Sequence, residues 1–242
     1  MSAAAPSVVV TSVTNSASGA FGSIAPGEIT IKGTGLGPVA GVSFSVDPTT
    51  GMVDTTLSGS RVSFGSFAAP ITYTSASQIN AIVPYEIAGQ SAVVMEVQYQ
   101  GAVSAGTLLQ VASAAPGAFT FSGTGSGQAT AANQDGSLNG PSNPAAKGSY
   151  VTIYFTGGGQ TNPPGVTGSV TGAVLKWLTQ AVSAAVGGKP ATVAFDGAAP
   201  TFVDGVGQLN IQLANGTPSG TQAPVITVGG VNSPATATIS IQ

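Results

Sequence analysis

The sequence predicts an all-β chain that forms two tandem β-sandwich domains, residues 1–113 and 114–242. Three observations lead to this prediction: short segments with alternating apolar residues, frequent glycine (35) and proline (16) between them, and an internal repeat. Many short strands separated by turn residues are typical of sandwiches and barrels. The repeat divides the chain into two units of ordinary domain size.

The strand prediction rests on period-two alternation and on enrichment in β-branched and aromatic residues. The run "APSVVVTSV" (5–13) is predicted to be the first strand. The later segments are "EITIKG" (28–33), "RVSFG" (61–65), "SAVVMEVQYQG" (91–101), "TLLQVAS" (107–113), "SYVTIYFTGGG" (149–159), "PATVAFDG" (190–197), "QLNIQLANG" (208–216), "APVITVGG" (223–230) and "ATATISIQ" (235–242).

One stretch also suits a helix. "AVLKWLTQAVSAAV" (173–186) is rich in Ala and Leu, which favour helices. We predict a β-hairpin over 182–195 instead, because two apolar runs flank Gly187-Gly188. A short helical turn near Lys176 and Trp177 is left open.

The repeat is visible without gaps at an offset of 130 residues, between "AAPITYTSASQINAIVP" (68–84) and "AAPTFVDGVGQLNIQLA" (198–214). It aligns two amide residues of the first copy with two of the second: Gln78 and Asn80 with Gln208 and Asn210. A feature repeated with the fold favours a structural role over a ligand site. We therefore expect these amides to satisfy backbone groups at a turn. The boundary between copies falls near "ASAAPGAF" (112–119).

Composition excludes several functions. Only 5% of residues are charged, the net charge is −3, and the five basic residues are scattered singly, so no nucleic-acid footprint or polybasic membrane patch is predicted. No segment reaches the ~18 to 20 apolar residues of a membrane span. The chain has no Cys and no His, which excludes disulfides, thiolate metal sites and Ser-His-Asp triads. We predict no catalytic residues, no cofactor-binding residues and no metal ligands.

Carboxylate chemistry receives little support from the sequence. Glycoside hydrolysis needs two carboxylates that face each other across a cleft. We place Asp196 in a turn at a strand end and Glu96 on a solvent-facing strand, so no convergent pair is predicted. Lys32 is expected to point outward if Ile29 and Ile31 face the core, which disfavours an isopeptide cross-link.

Calcium is a weak alternative. "NQDGSLNG" (133–140) spaces Asn133, Asp135 and Ser137 like half an EF-hand loop. The glycine at the sixth position and the terminal Glu of that loop are missing. An Asx turn explains the segment without a metal.

Several long segments together resemble a known family. They are "APITYTSASQINAIVPYEIAGQ", "APGAFT", "GQATAANQDGSLNGPSNPAAKGSYVTIYFTGGGQTNPP" and "AAPTFVDGVGQLNIQLANGTPSG". In combination, from about Ser12 to Gln242, they look like the Solibacter-type C-terminal family, uncharacterised repeat regions of large secreted or surface proteins of Acidobacteria. Each half also resembles immunoglobulin-like domains of the IPT/TIG kind. The segment around Trp177 departs from the family pattern. The resemblance implies two immunoglobulin-like domains, an extracellular setting and no known catalytic activity.

The function expected from these observations is a non-catalytic extracellular structural or adhesion module. Its partners would be itself or other surface components. A carbohydrate-binding accessory module of a larger secreted protein is the alternative, and a calcium-dependent cell-envelope module is a third. Because the start "MSAAAPSVVV" lacks the features of a signal peptide, we expect a mature or recombinant piece of an exported protein.

Self-assembly by strand exchange is a further hypothesis. The segment 5–13 carries no charge, and a loose spacer follows it, so it could complete the sheet of a neighbouring molecule. Val8, Val10 and Val13 would supply apolar contacts, although strict alternation places only Val8 and Val10 on one face.

Overall fold

The computed structural model describes residues 7–242 of the chain. Within these residues the regular elements are β-strands, apart from one 3-10 helix at Tyr85–Ile87. This helix is far too short to cross a membrane, and no other helix in the described range could do so. The predicted all-β fold is therefore confirmed.

The first half contains two facing sheets. Its strands are β1 (Val9–Asn15), β2 (Gly27–Thr34), β3 (Val42–Ser43), β4 (Thr56–Leu57), β5 (Ser60–Phe64), β6 (Phe67–Ala68), β7 (Ile71–Thr74), β8 (Gln78–Val83), β9 (Ala92–Tyr99), β10 (Ala102–Val103) and β11 (Thr107–Gln110). One sheet has the order β1-β2-β8-β7-β3. The other has the order β10-β9-β5-β4, with β11 beside β9 and β6 beside β5.

Alternation along the strands builds the first core. Ile29 and Ile31 of β2 are buried, while Lys32 beside them is exposed, as predicted. They pack with the inward residues of β8 against Val62 and Phe64 of β5 and the inward residues of β9. Because apolar side chains of both sheets meet in one buried cluster, the two sheets form a sandwich.

The second half is also built from two sheets, of unequal size. Its strands are β12 (Gly117–Ala118), β13 (Gly127–Gln128), β14 (Ala131–Asn133), β15 (Tyr150–Thr156), β16 (Thr161–Asn162), β17 (Trp177–Leu178), β18 (Val182–Val186), β19 (Lys189–Ala198), β20 (Val206–Gln212), β21 (Gly220–Gln222), β22 (Pro224–Val228), β23 (Val231–Asn232) and β24 (Ala237–Ile241). The larger sheet has the order β12-β15-β20-β19-β18-β22-β23, and a smaller sheet has the order β13-β24-β21. The named strands pair within 9–110 and within 117–241; a domain boundary at residue 113 stays a prediction.

Strand β19 bends between two parts of the larger sheet. Its first residues pair with β18, and its last residues pair with β20. A bulge between Val193 and Phe195 marks the bend. The hairpin predicted over 182–195 is confirmed: Gly187 and Gly188 have φ angles of 56° and 74°, and positive φ at both central residues is what a type I′ turn requires.

Around this sheet, one possibility left open by the sequence is not realised and one expectation is wrong. No helical turn forms at Lys176 and Trp177, because Trp177 lies in β17 and pairs with Asn162 and Gly197. Asp196 does not lie in a turn; it lies inside β19, opposite Leu209. The strand β19 extends to Ala198, further than the apolar pattern shows, because β17 and β20 both pair with its last residues.

The repeated amides are structural, but not in the way expected. Gln78 Nε2 donates to Asn80 Oδ1 at 2.8 Å, and Gln208 Nε2 donates to Asn210 Oδ1 at 3.0 Å. Each Asn also accepts a hydrogen bond from a Thr hydroxyl on the neighbouring strand, at 3.2 Å in the first copy and 3.0 Å in the second. The partners are side chains on one sheet face rather than backbone groups at a turn. This is possible because the Gln, Asn and Thr all point away from the core.

The first strand also differs from expectation. β1 pairs with β2 of the same chain, and a bulge lies between Val10 and Ser12. The bulge changes the alternation, so Val13 packs against the core together with Val8 and Val10. Residues 5 and 6 of the predicted strand lie outside the described residues. Because bulges protect sheet edges from pairing with other chains, the bulge disfavours strand exchange.

The two halves touch through their backbones. Gly27 and Gly157 approach so closely that a Cβ atom on Gly27 would lie 2.4 Å from the Gly157 nitrogen. The amide of Glu28 donates to Thr156 Oγ1 at 2.6 Å, and the amide of Gly159 donates to the carbonyl of Pro26 at 3.2 Å. These contacts join the start of β2 to the end of β15 and fix the two halves at that point.

Side chains complete the contact on either side. Val53 and Ile82 of the first half pack with Val203 of the second half in a small buried cluster. The 3-10 helix lies against the second half, where Gly165 leaves room for the Tyr85 ring and Thr167 Oγ1 accepts a hydrogen bond from the Tyr85 amide at 3.0 Å. The halves therefore share an extended interface.

Candidate functional site

A cleft of about 590 Å³ lies between the two halves, beside their backbone contact. We call it the interdomain cleft. It is lined by Glu28, Phe44, Val46, Thr72, Phe119, Thr120, Thr130, Tyr154, Val170, Thr201, Phe202, Val203 and Val206. Its volume lies within the range of small-molecule sites, roughly 300 to 1,000 Å³.

Four aromatic rings line the interdomain cleft. Phe44 follows β3 in the first half, whereas Phe119, Tyr154 and Phe202 belong to the second half. The rings of Tyr154 and Phe202 pack with centroids 5.4 Å apart at an interplanar angle of 42°. Phe44 and Phe202 are 40% and 44% exposed, so both present ring surface that a bound molecule could cover. The aromatic residues are dispersed along the sequence, and no sequence pattern indicates that these four converge.

The position of Phe202 results from a difference between the two repeats. The repeat aligns Thr201 and Phe202 with Ile71 and Thr72, which lie in β7, but in the second copy these residues form a turn. Thr201 has a φ of 70°, which is strained for a β-branched residue. Its amide donates to the carbonyl of Thr171 at 2.8 Å, and the amide of Thr171 donates to the carbonyl of Phe202 at 2.8 Å. These bonds hold the turn that directs Phe202 to the cleft.

Sequence reasoning missed Phe202 because the alignment with β7 predicts an extended strand there. One signal was present: Asp204-Gly205 follows Phe202, and Asp-Gly favours turns. The first copy has Thr74-Ser75 at the aligned positions.

Glu28 is the charged residue of the cleft lining. It points away from the first core, and Thr72 Oγ1 donates to its Oε1 at 2.5 Å. Part of the side chain remains open to the cleft, although protein surrounds it on the other sides. Burial therefore raises the pKa of the Glu28 carboxyl, and the hydrogen bonds from Thr72 and Ser16 oppose that shift only in part.

A row of polar side chains connects Glu28 with the opposite end of the same sheet face. Lys32 Nζ donates to Gln78 Oε1 at 2.7 Å, and Gln78 bonds to Asn80. Thr30 Oγ1 contacts Asn80 Oδ1 at 3.2 Å and Ser16 Oγ at 3.1 Å. The Gln-x-Asn pair is thus part of a polar face that ends at the cleft.

The two repeats contribute opposite ends of equivalent faces to the cleft. Lys32 pairs with Gln78 in the first copy, and Tyr154 pairs with Gln208 in the second, so Tyr154 occupies the place of Lys32. Glu28 lies at the start of β2, whereas Tyr154 lies towards the end of β15. An acid and an aromatic ring from different ends of the repeat unit are thereby brought to one site.

A buried carboxylate fixes the loop beside the cleft. Asp204 is fully buried and accepts hydrogen bonds from Thr171 Oγ1 at 2.5 Å, from the Val166 amide at 2.9 Å and from Lys176 Nζ. The pKa of the Tyr85 hydroxyl is raised, mainly by its burial and to a smaller extent by the negative charge of Asp204. Through these hydrogen bonds Asp204 anchors the loop 163–176.

The residues singled out by the sequence lie elsewhere. Asp135 Oδ1 accepts hydrogen bonds from the Ser137 amide at 3.0 Å and hydroxyl at 2.5 Å, as an Asx turn requires, and these bonds lower the pKa of Asp135. Asn133 bonds to Asn143 and Asn139 nearby. Within residues 7–242, no group of three or more His, Cys, Asp or Glu side chains is arranged to hold a metal ion.

The acids considered for hydrolysis do not meet. Glu96 is exposed on β9, and Asp196 lies on β19, where burial raises the pKa of its carboxyl. Neither lines the interdomain cleft, where Glu28 is the lone carboxylate of the described lining.

Comparison with known proteins adds a domain family. The IPT/TIG domain family matches residues 9–111. No curated protein matches the chain. The resemblance to the Solibacter-type family stays a prediction.

Two solved structures show a loose likeness. SGBP-B from a complex xyloglucan utilization locus in Bacteroides uniformis is 13% identical, with a TM-score of 0.29 over 97% of this chain and 49% of that one. SGBP-B of the Bacteroides ovatus mixed-linkage glucan utilization locus, in complex with a mixed-linkage heptasaccharide, is 10% identical, with a TM-score of 0.32 over 91% and 43%. The chain spans about half the length of these proteins or less. Likeness at this level supports no functional argument. Residues 9–111 are an IPT/TIG domain with an immunoglobulin-like fold.

Proposed function

We propose that the chain is a non-catalytic module of an extracellular protein and that it binds carbohydrate in the interdomain cleft. The observation that carries this proposal is the convergence of four aromatic rings from both halves on one cleft. The module is proposed to be non-catalytic because glycoside hydrolysis needs two opposed carboxylates, and Glu28 is the lone carboxylate of the described lining.

Carbohydrate fits the chemistry of this lining. A sugar ring has apolar C–H surfaces, which pack on aromatic rings, and a hydroxyl edge, which needs hydrogen-bond partners. Thr130, Tyr154 and Thr201, whose side chains carry hydroxyl groups, line the cleft. A hydroxyl can both donate and accept a hydrogen bond, so these residue types suit the hydroxyl groups of a sugar.

The extracellular setting is supported by the resemblance of the sequence to repeat regions of secreted and surface proteins. The structural or adhesion function expected first from the sequence now ranks below carbohydrate binding. Its proposed mechanism needs β1 to pair with another molecule, whereas β1 pairs with β2 of the same chain and carries a bulge.

Calorimetric titration with soluble neutral oligosaccharides, including the β-linked hexasaccharide of glucose, tests the proposal. Phe202→Ala should weaken binding, because the variant removes a ring that a sugar would cover. Phe21→Ala is the matched control, because Phe21 is 77% exposed but does not line the cleft. Absence of binding to every sugar tested, or equal binding by the two variants, would contradict a carbohydrate site here.

A further inference from the structure

We infer that the interdomain cleft selects ligands with a positively charged ammonium group, and that its preferred carbohydrate is an amino sugar with a free amine. This inference rests on the proposed function. It concerns the charge of the ligand, which the proposed function leaves open.

The charge distribution of the lining is the first observation. Glu28 is its acid, and neither Lys nor Arg belongs to the described lining. Four aromatic rings surround the same space. Cations are attracted to the faces of aromatic rings. Rings together with a carboxylate are therefore the combination expected around an ammonium group.

The missing counter-ion of Glu28 is the second observation. The ion pair within residues 7–242 joins Lys176 to Asp204, and Glu28 has no such partner there. Lys32 lies at the far end of the same sheet face and bonds to Gln78. A carboxylate removed from water without a cation is costly, and a ligand ammonium would supply the cation.

The fixed position of Glu28 is the third observation. Its amide donates to Thr156 Oγ1, which donates in turn to the carbonyl of Gly205 at 2.7 Å. Thr72 holds one carboxylate oxygen. Backbone and side chain are thus both held by neighbours before a ligand arrives, so little ordering cost remains to be overcome on binding.

Burial adds a dependence on pH. The pKa of Glu28 is raised, so its negative charge is lost at a higher pH than for an exposed Glu. An ammonium ligand should therefore bind more weakly as the pH falls through the raised pKa. The other ionisable group of the lining is the Tyr154 hydroxyl.

Matched sugars provide the test. Three hexasaccharides with the same β linkage, built from glucose, N-acetylglucosamine and N-trimethylated glucosamine, differ mainly in the group at carbon 2. The trimethylated sugar carries a permanent charge, so any change of its affinity with pH reflects ionisation of the protein alone. Calorimetry at neutral pH and low salt should give at least about 10-fold tighter binding for the cationic sugar, as expected for a carboxylate and ring contacts.

Variants assign the preference to Glu28. Glu28→Gln should reduce the ratio of the cationic to the neutral affinity to near one, whereas Glu96→Gln, at an exposed acid outside the cleft, should leave the ratio unchanged. If the wild-type protein binds the glucose and trimethylated sugars equally, the ammonium preference is wrong while carbohydrate binding stands.

Tetramethylammonium separates the two proposals further. If it binds in a Glu28-dependent manner and no hexasaccharide binds, the cation site is supported but the carbohydrate function is wrong. If neither tetramethylammonium nor any of the sugars binds, both proposals are overturned.

Discussion

Replacement of Asp204 by alanine should destabilise the second half strongly, because three groups depend on this carboxylate. Thr171 Oγ1, the Val166 amide and Lys176 Nζ all donate hydrogen bonds to it, and the Asp204 side chain is completely buried. The Lys176 side chain is only 12% exposed, so the variant would leave a largely buried ammonium group without its partner. The loop 163–176 would lose its anchor.

The expected cost follows from these contacts. Removing one partner of a buried, hydrogen-bonded ion pair typically costs about 3 to 5 kcal/mol, because the remaining charge stays desolvated. An unfolding entropy of about 2.1 cal/mol/K per residue gives ~500 cal/mol/K for 242 residues. If the chain unfolds as one unit, a loss of about 4 kcal/mol lowers the melting temperature by about 8 °C.

Chemical denaturation and calorimetry would measure this cost, with Asp135→Ala as the control. Asp135 is an exposed acid whose hydrogen bonds stay within its own turn, so its loss should cost much less than the loss of Asp204. Lys176→Ala and the double variant complete a thermodynamic cycle, which should give a coupling energy of about 1 to 3 kcal/mol. A cost for Asp204→Ala no larger than that for Asp135→Ala would show that the carboxylate does not anchor the loop.

Three further predictions concern other regions. Because burial raises the pKa of Glu28, its ionised form destabilises the folded protein; Glu28→Gln should raise the melting temperature at neutral pH, and this gain should disappear as the pH falls below the ordinary carboxyl range. A gain that does not change with pH would contradict this. Gly27→Ala should lower the free energy of unfolding in urea by about 1 to 3 kcal/mol more than Gly51→Ala. Both glycines have positive φ, but a Cβ atom on Gly27 would lie 2.4 Å from the Gly157 nitrogen, whereas a Cβ atom on Gly51 would meet open space. Equal losses would show that the two halves can move apart to accommodate the methyl group. Millimolar calcium should leave the melting temperature unchanged, because Asp135 bonds to Ser137 and belongs to no group of three or more possible metal ligands within residues 7–242. A rise would assign calcium to that turn.

Much of the fold could be predicted from the sequence because one face of most strands is buried. Alternation identifies β2, β5 and β9, whose inward residues form the core, and the Gly187-Gly188 hairpin follows from the φ angles that only glycine adopts readily. The repeat located Gln78 and Gln208 on equivalent strands, because strand order and pairing around them are shared. These features depend on local periodicity or on similarity between the copies.

The candidate site could not be predicted because it depends on the placement of one half against the other. Glu28 and Phe202 are 174 positions apart along the chain, and no local pattern brings them together. The turn at Thr201 is held by backbone hydrogen bonds to Thr171, which lies 30 positions earlier in the chain. The alternation of inward and outward side chains along β1 also changes at a bulge. Strict alternation therefore did not predict the contact of Val13 with the core.

Because Gly27 approaches Gly157 closely, the shape of the cleft depends on backbone contacts, whereas its binding properties depend on other residues. Main-chain atoms set the angle between the halves at this point, while the rings and hydroxyls of the lining stand on turns and strand faces some distance along the chain. Exchange of lining residues such as Phe44 or Phe202 should therefore leave that angle as it is. Single substitutions in the lining could therefore change the ligand without changing the scaffold, as substitutions in the binding loops of an antibody do.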